Sequence, residues 1–338
     1  MRQFVSLCLW ASMLMPLATI ADTSTNWRLE TWDTPFDYNS PSRIIQYEPA
    51  QPAAKPWHMC ISYPHLKDSY WLNVNYGMVE EARRLGVAFT LVEAGGYPNL
   101  SKQRDQIEQC TSAGTNALIV GTVSFEGLSE TIVDISQTIP VLATVNDITD
   151  IGITAKSGVS WKTMGEVAGA YLAKLHPLGT AAVTVAWFPG PEGAGWVDFI
   201  ERGFRAGLEG SAVEVIVTKW GDTGKEIQRT LVQEALESHP EVDYLVGNAL
   251  MAEASVSTLR NRGLENDIEI ISTYFTPAVY RGIRRGRILA APTDAPVIQG
   301  RLSINQAVRV LEGRPYIKHA GPEILMITQD NWKSINIG

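Results

Sequence analysis

From residue 57 onward, short apolar runs alternate with longer segments in which apolar residues recur every three or four positions. The first runs predict strands at 57–63, 87–92, 117–120 and 140–145, with helices that include 71–85 and 101–113 between them. Strands of this length that alternate with amphipathic helices are typical of crossover units in a parallel sheet. The first half of the chain is therefore predicted to form one α/β unit.

The same alternation begins again near Trp161. Further strands are predicted at 181–188, 213–218, 242–246, 268–273, 288–291 and 323–328, and further helices at 161–175, 195–208, 224–238 and 297–312. The pattern predicts an α/β fold of two doubly wound parallel-sheet lobes joined by multiple crossovers. We assign residues 57–155 plus 292–322 to the N-terminal lobe and 156–291 plus 323–338 to the C-terminal lobe. Such lobes bind ligands at the carboxyl ends of their strands, in the cleft between them.

The first 56 residues lack this alternation. Arg2, a mostly apolar run over residues 4–17 and the small residues before Ala21 predict a cleavable signal peptide at 1–21 and export from the cytoplasm. A retained anchor and a buried N-terminal element are the alternatives. Residues 22–56 are rich in proline and are interpreted as an N-terminal arm, whose Trp27, Trp32 and Phe36 pack on the body or on a partner.

Charge and cysteine content narrow the function classes. The net charge of −8 and the absence of long runs of like charge argue against nucleic acid and against an anionic membrane surface. Outside the signal peptide the cysteines are Cys60 and Cys110. In an oxidising compartment these two form a disulfide, or they remain two buried thiols.

No catalytic motif stands out in the sequence. The glycine-rich stretches at 93–97 and 189–195 match neither a phosphate loop nor a dinucleotide fingerprint, and the five histidines are scattered without metal-ligand spacing. We therefore predict a protein that is not an enzyme and that has no cofactor and no metal.

Aromatic residues near the ends of the predicted strands are the remaining candidates for chemistry. They are Tyr70, Trp71, Tyr97, Trp161, Trp187, Phe188, Tyr274 and Phe275, and polar Asp68, Asn146, Asn248 and Asp294 lie near strand ends as well. Each aromatic residue alone is equally compatible with a place in the core. Together they predict a cleft for a small ligand with an apolar or cationic body, since aromatic faces bind methylated ammonium groups well.

Several segments resemble the TorT family of periplasmic trimethylamine N-oxide-binding proteins, which are type I periplasmic binding proteins. The matching stretches are 63–78, 93–97, 106–110, 188–191 and 280–287, within a similarity that runs from about residue 57 to about residue 327. The resemblance implies a sensor that binds trimethylamine N-oxide and contacts the periplasmic sensor domain of the membrane histidine kinase TorS. It also implies a ligand site at Asp68, Tyr70, Trp71, Tyr97, Trp161, Tyr274 and Asp294.

The role expected of Asp68 within that site is organising or water-holding, because an ionised carboxylate cannot donate a hydrogen bond to an N-oxide oxygen. A substrate-binding protein of an ABC importer, for a sugar or a methylated amine, is the alternative function. Sugar clefts combine aromatic platforms with many charged and amide groups, whereas the set found here is rich in aromatics and poor in acids.

Overall fold

The computed structural model describes residues 26–333, in which two β-sheets are each flanked by helices. The predicted signal peptide at 1–21 lies outside the described residues. The strands are β1 (Trp27–Trp32), β2 (Ser42–Tyr47), β3 (His58–Tyr63), β4 (Ala88–Glu93), β5 (Ala117–Val120), β6 (Val141–Thr144), β7 (Ala155–Ser157), β8 (Val183–Phe188), β9 (Val213–Thr218), β10 (Tyr244–Gly247), β11 (Glu269–Ser272), β12 (Ala290–Thr293), β13 (His319–Pro322) and β14 (Leu325–Thr328). The helices are α1 (Ser69–Leu85), α2 (Leu100–Ser112), α3 (Ser129–Ser136), α4 (Trp161–Leu175), α5 (Gly195–Gly207), α6 (Lys225–Ser238), α7 (Ala249–Arg262), α8 (Pro277–Arg284) and α9 (Pro296–Leu311).

The strand order confirms the predicted fold class. One sheet has the order β2-β1-β13-β7-β6-β5-β3-β4 and the other has the order β14-β12-β11-β10-β8-β9. Neighbouring strands are parallel except at β1–β2, β1–β13 and β12–β14. We call the first sheet with its helices the first lobe, and the second sheet with its helices the second lobe. The chain crosses between the two sheets after β7, after β12 and after β13.

The arm is more regular than its sequence pattern indicates. Strands β1 and β2 pair antiparallel and extend the first sheet through β13. Trp27 and Trp32 are buried, and the Trp27 ring stacks on Tyr47 at 5.6 Å. The expected packing of these aromatics on the body is therefore observed. The alternation of buried and outward-facing residues in β1 extends over only six residues, which is too short to stand out in the sequence.

Close helix packing in the first lobe depends on two glycines. A Cβ atom at Gly77 in α1 would lie 2.1 Å from the carbonyl oxygen of Val297, and one at Gly300 in α9 would lie 2.1 Å from that of Val74. No larger residue fits at either position without separating α1 from α9. Helix α9 follows β12 of the second lobe directly, so this contact attaches a crossover segment firmly to the first lobe.

The two candidate cysteines form a disulfide that joins β3 to α2. The sulfur atoms of Cys60 and Cys110 are bonded, across a sequence separation of 50 residues. Both residues are buried within a cluster that also contains Ile107 and Leu118. The predicted bridge is confirmed, and the alternative of two buried thiols is wrong.

We expect loss of this disulfide to destabilise the folded chain without disturbing the cleft. The double substitution Cys60→Ser and Cys110→Ser should lower the free energy of unfolding by about 2–4 kcal/mol, chiefly because the unfolded chain regains freedom. Urea denaturation monitored by circular dichroism measures this change. The exposed pair Ser101→Ala and Ser112→Ala serves as the control, and equal stability of the cysteine variant and the parent would contradict the expectation.

Candidate ligand site

A small cavity lies where the carboxyl ends of both sheets face each other. Its volume is about 10 Å³, which is roughly the space of one water molecule. Six aromatic or polar residues on its wall belong to the predicted set, and three do not. The lining residues are Asp68, Tyr70, Trp71, Tyr97, Asn146, Trp161, Trp196, Thr223 and Tyr274. We refer to the six aromatic side chains among them as the cage.

The cage is assembled from both lobes. Tyr70 and Trp71 begin α1 and Tyr97 follows β4, whereas Trp196 begins α5 and Tyr274 follows β11. Trp161 is the first residue of α4, directly after the crossover that follows β7. These positions are strand-to-helix connections at the carboxyl ends of parallel strands, as the fold class requires of a ligand site.

The rings meet mainly edge to face or at an oblique angle. Ring centroids are 5.3 Å apart for Tyr70 and Tyr274, 5.2 Å for Trp161 and Trp196, and 6.0 Å for Trp196 and Tyr274. Such arrangements place the positive edge of one ring on the negative face of another. The cage is therefore packed as a core, and a ligand of several heavy atoms enters only when some rings move apart.

Asp68 orients the first two rings. As the N-cap of α1, its Oδ1 accepts hydrogen bonds from the backbone N–H groups of Tyr70 at 3.0 Å and Trp71 at 3.1 Å. A capping carboxylate of this kind fixes the direction in which the helix starts. Its position agrees with the organising role expected from the sequence, although its side chain also reaches the cavity wall.

Asp294 lies behind the cage instead of in its wall. Its carboxylate accepts hydrogen bonds from the Tyr70 hydroxyl and from Gln299 Nε2, the latter at 2.6 Å. The Tyr70 hydroxyl is thus turned toward Asp294. Asn248, another strand-end residue of the sequence analysis, caps α7 by accepting from the N–H groups of Leu250 and Met251.

Trp196 is the cage residue that the sequence analysis missed. Its side chain is buried, and its indole N–H has no hydrogen-bond partner among residues 26–333. By contrast, the indole N–H of Trp161 donates to the Val145 carbonyl at 3.1 Å. A buried N–H without a partner is costly, so the Trp196 indole is a donor available to a ligand. The sequence feature that could have identified Trp196 is its position just after the glycine-rich turn at the end of β8.

A second available donor is the hydroxyl of Tyr97. Its oxygen accepts from Asn146 Nδ2 at 3.2 Å, which leaves its own proton free to donate. Asn146 therefore positions Tyr97, and Thr223 closes the wall from the second lobe. The cavity thus offers apolar ring surface together with two N–H or O–H donors.

Both carboxyl groups at the site are buried and neither pairs with Lys or Arg in the described part of the chain. Burial raises the pKa of Asp68 to about 6, against the opposing effect of its backbone hydrogen bonds. Burial likewise raises the pKa of Asp294 to about 6. Burial lowers the pKa of the neighbouring His65 to about 4, so the imidazole is neutral at pH 7. The surroundings of the cage are consequently negative at neutral pH.

Polar contacts join the lobes next to the cage. Lys67, just before α1, pairs with Asp222 in the loop after β9. His65 Nε2 lies 3.2 Å from the Thr223 hydroxyl in the same loop. Both contacts connect the segment that carries Asp68 to the second lobe, so lobe closure and cage geometry are linked.

The chain is similar in sequence and in fold to known periplasmic proteins. A family model for the periplasmic binding protein domain matches residues 59–315. The chain is also 38% identical over 332 residues to the periplasmic protein TorT of Escherichia coli K12, a match that covers 97% of this chain and 91% of that protein. The chain belongs to the TorT family of periplasmic binding proteins. This membership confirms the predicted family and its periplasmic location.

Solved structures agree with the assignment to this family of ligand-binding proteins. A solute-binding protein of an ABC transporter from Bradyrhizobium sp. BTAi1, with bound bis-tris, has a TM-score of 0.79 and 48% identity, covering 92% of this chain and 94% of that one. TorT in complex with the TorS sensor domain, without ligand and with trimethylamine N-oxide, has a TM-score of 0.75 and 41% identity, covering 81% and 93%. No helix within residues 26–333 has the length and apolar character that crossing a membrane requires.

The buried carboxyl of Asp294 gives a pH-dependent prediction. Its pKa of about 6 lies above the unfolded value of about 3.9, so the folded state holds this proton more tightly and loses stability as pH rises from about 4 to above 6. Asp294→Asn removes this loss. The free energy of unfolding of the variant, relative to the parent, should therefore rise by about 2–3 kcal/mol between pH 4 and pH 7.

Urea denaturation at a series of pH values measures this difference. Asp105→Asn, at an exposed position in α2, is the matched control and should show a nearly constant difference across the same range. A difference for Asp294→Asn that stays flat or decreases with pH would show that the carboxyl is not destabilised by burial.

Proposed function

We propose that this chain is a periplasmic sensor that binds trimethylamine N-oxide between its lobes and signals to a TorS-type membrane histidine kinase that controls anaerobic N-oxide respiration genes. It acts by binding and not by catalysis. The observation that carries the proposal is the cage, in which six aromatic side chains from both lobes surround one cavity beside a buried, unpaired indole N–H.

The ligand chemistry matches the cage in two respects. Methyl groups on a positively charged nitrogen are attracted by ring faces, at about 0.5 kcal/mol when exposed and about 2 kcal/mol or more when desolvated. The single N-oxide oxygen accepts hydrogen bonds, which the Trp196 indole and the Tyr97 hydroxyl are free to donate. We assign ring contacts to Tyr70, Trp71, Tyr97, Trp161, Trp196 and Tyr274. Asp68 and Asp294 act behind them as positioning residues.

The kinase partner is supported by the relatives. TorT forms a complex with the TorS sensor domain in structures with and without trimethylamine N-oxide, and this chain is 41% identical to that TorT. A ligand changes such a complex only if it binds two lobe arrangements with different affinity. The cage meets this requirement, because its walls come from both lobes and its present cavity of about 10 Å³ must widen around a ligand.

A second candidate function is that of a solute-binding protein for an importer of ammonium compounds. It is favoured by the 48% identity to the Bradyrhizobium ABC-transporter protein with bound bis-tris. Bis-tris is a tertiary amine, which is cationic when protonated, and the negative surroundings of the cage suit a cation. The two functions differ in ligand preference and in membrane partner.

Isothermal titration calorimetry with trimethylamine N-oxide, choline and bis-tris tests the proposal. A sensor of the proposed kind should bind the N-oxide more tightly than either amine, and it should bind the purified periplasmic sensor domain of the TorS-type kinase from the same organism. Tighter binding of choline or bis-tris together with no kinase binding would favour the importer function instead.

Substitutions in the cage test which side-chain groups contribute to ligand binding. Trp196→Phe keeps a ring but removes the N–H, so affinity for trimethylamine N-oxide should fall about tenfold, whereas affinity for an amine without an oxygen acceptor should change less. Trp71→Ala and Tyr274→Ala should abolish binding of both ligand types. Thermal melting confirms that each variant folds. Trp332→Phe is the matched control, because Trp332 does not line the cavity. Unchanged N-oxide affinity in Trp196→Phe would remove this indole from the site.

A further inference from the structure

A groove of about 560 Å³ lies on the surface beside the junction of the two lobes. We call it the junction groove. It is lined by four parts of the chain: the turn after β1, the residue Phe125 in the loop after β5, the segment from β6 to α4, and helices α4 and α5. The lining residues are Phe36, Asp37, Tyr38, Asn39, Phe125, Ala143, Asp147, Ile148, Thr149, Asp150, Ile151, Ile153, Lys156, Ser160, Lys162, Thr163, Glu166 and Phe199.

The apolar side of the groove contains a contact between the lobes. The rings of Phe125, from the first lobe, and Phe199, from α5 of the second lobe, are T-shaped at 5.5 Å. A Cβ atom at Gly195, the first residue of α5, would lie 2.7 Å from the Cβ of Phe125. This wall therefore exists only while the two lobes are close together. Ile151, on the rim, has 59% of its surface exposed.

The groove and the cage use the same two helices. Trp161 of the cage begins α4, and the residue after it, Lys162, together with Glu166 four residues further on, lines the groove. Trp196 of the cage lies one turn before Phe199 of the groove in α5. A displacement of these helix starts by a ligand in the cage must consequently change the groove.

Helices α4 and α5 are packed so closely that they move together. A Cβ atom at Gly203 would lie 1.8 Å from the carbonyl oxygen of Lys162, and one at Gly165 would lie 2.0 Å from that of Ile200. Backbone contacts of this kind leave no side chains between the helices to absorb a shift. The pair therefore transmits motion from the cage to the groove as one rigid body.

The rim of the groove is acidic. Asp37, Asp150 and Glu166 are exposed there, against one exposed cation, Lys162. The other two charges, Lys156 and Asp147, form a buried ion pair with each other. A partner that complements this rim carries basic residues around an apolar side chain.

We propose that the junction groove is a docking surface for a partner protein, occupied by an apolar side chain that Lys or Arg residues flank. The inference rests on the proposed function, which supplies the partner: the periplasmic sensor domain of the membrane kinase. The shape of the groove changes with that of the cage, because the lobe contact that forms the groove wall and the helices that form its floor both depend on lobe closure.

Binding of the purified TorS-type sensor domain to immobilised full-length chain tests the docking surface. Ile151→Ser should weaken this binding by about tenfold, because it removes apolar contact surface at the rim of the groove without changing the charge of the rim. Leu178→Ser makes a comparable change at a residue with 77% of its surface exposed, away from the groove, and should leave the affinity unchanged. Trimethylamine N-oxide affinity should stay within about twofold in both variants, since neither residue lines the cage.

The charge of the partner is tested separately. Asp150→Lys together with Glu166→Lys should weaken sensor binding and make it less sensitive to salt, because attraction between opposite charges is screened by salt. Stronger binding of this variant would overturn the basic character assigned to the partner.

The outcomes separate the two proposals. If the parent chain binds the sensor domain and Ile151→Ser binds it equally well, the docking surface is overturned while the proposed function stands. If the parent chain does not bind the sensor domain at all, the kinase partner is overturned and the docking surface with it. Retained N-oxide binding in that second case still leaves the cage assignment intact.

Discussion

Contact between aromatic rings across the lobe junction is the interaction on which the rest of the structure depends. Tyr70 from the first lobe meets Tyr274 from the second at 5.3 Å, and Tyr97 from the first lobe meets Trp196 from the second at 6.0 Å. Each such pair contributes about 0.5–1.5 kcal/mol beyond its buried area. If the cage binds a ligand as proposed, that ligand replaces these contacts with its own, so its affinity is the difference between two well-packed states. The same exchange would allow a very small solute to change the relation between two large lobes.

The polar groups around the rings set their direction. Asp68 caps α1 and thereby aims Tyr70 and Trp71, while Asp294 holds the Tyr70 hydroxyl. Buried carboxylates without a cationic partner are destabilising, and the raised pKa of each group reflects that cost. Their presence is consistent with a site in which ring orientation matters more than stability. The negative charge they add also favours the positive end of a dipolar ligand.

Much of the fold could be predicted because its elements follow simple periodicity. The parallel strands β3, β5 and β10 are short buried apolar runs, and α1 has a clear apolar stripe ended by Gly86. Helix α7 could not be predicted from the sequence, because its eight buried residues lie on more than one face and so remove the amphipathic pattern. Strands β1 and β2 could not be predicted because β1 pairs with β13, almost 300 residues away, and β2 in turn pairs with β1.

The candidate site was likewise predictable from the sequence only in part. Tyr70, Tyr97 and Tyr274 could be placed from sequence because they adjoin strand ends, and parallel strands bring those ends to one edge. Trp196 lies in a helix whose apolar stripe also contains the core residues Val197, Ile200 and Phe204. Only the unpaired indole N–H distinguishes it from them, and that is a property of the folded chain.

The glycines between α4 and α5 show why a sensor of this kind can be small. At Gly203 and Gly165 the two backbones approach so closely that a single methyl group would separate the helices. Side-chain layers can repack and so dissipate a small shift, whereas direct backbone contact transmits it. Trp161 and Trp196 sit at the cage end of this rigid pair, and Glu166 and Phe199 lie five and three residues further along α4 and α5, at the surface groove. The cage and the exposed surface are therefore separated by no more than about one and a half helical turns, and no long pathway of coupled residues is needed to connect them.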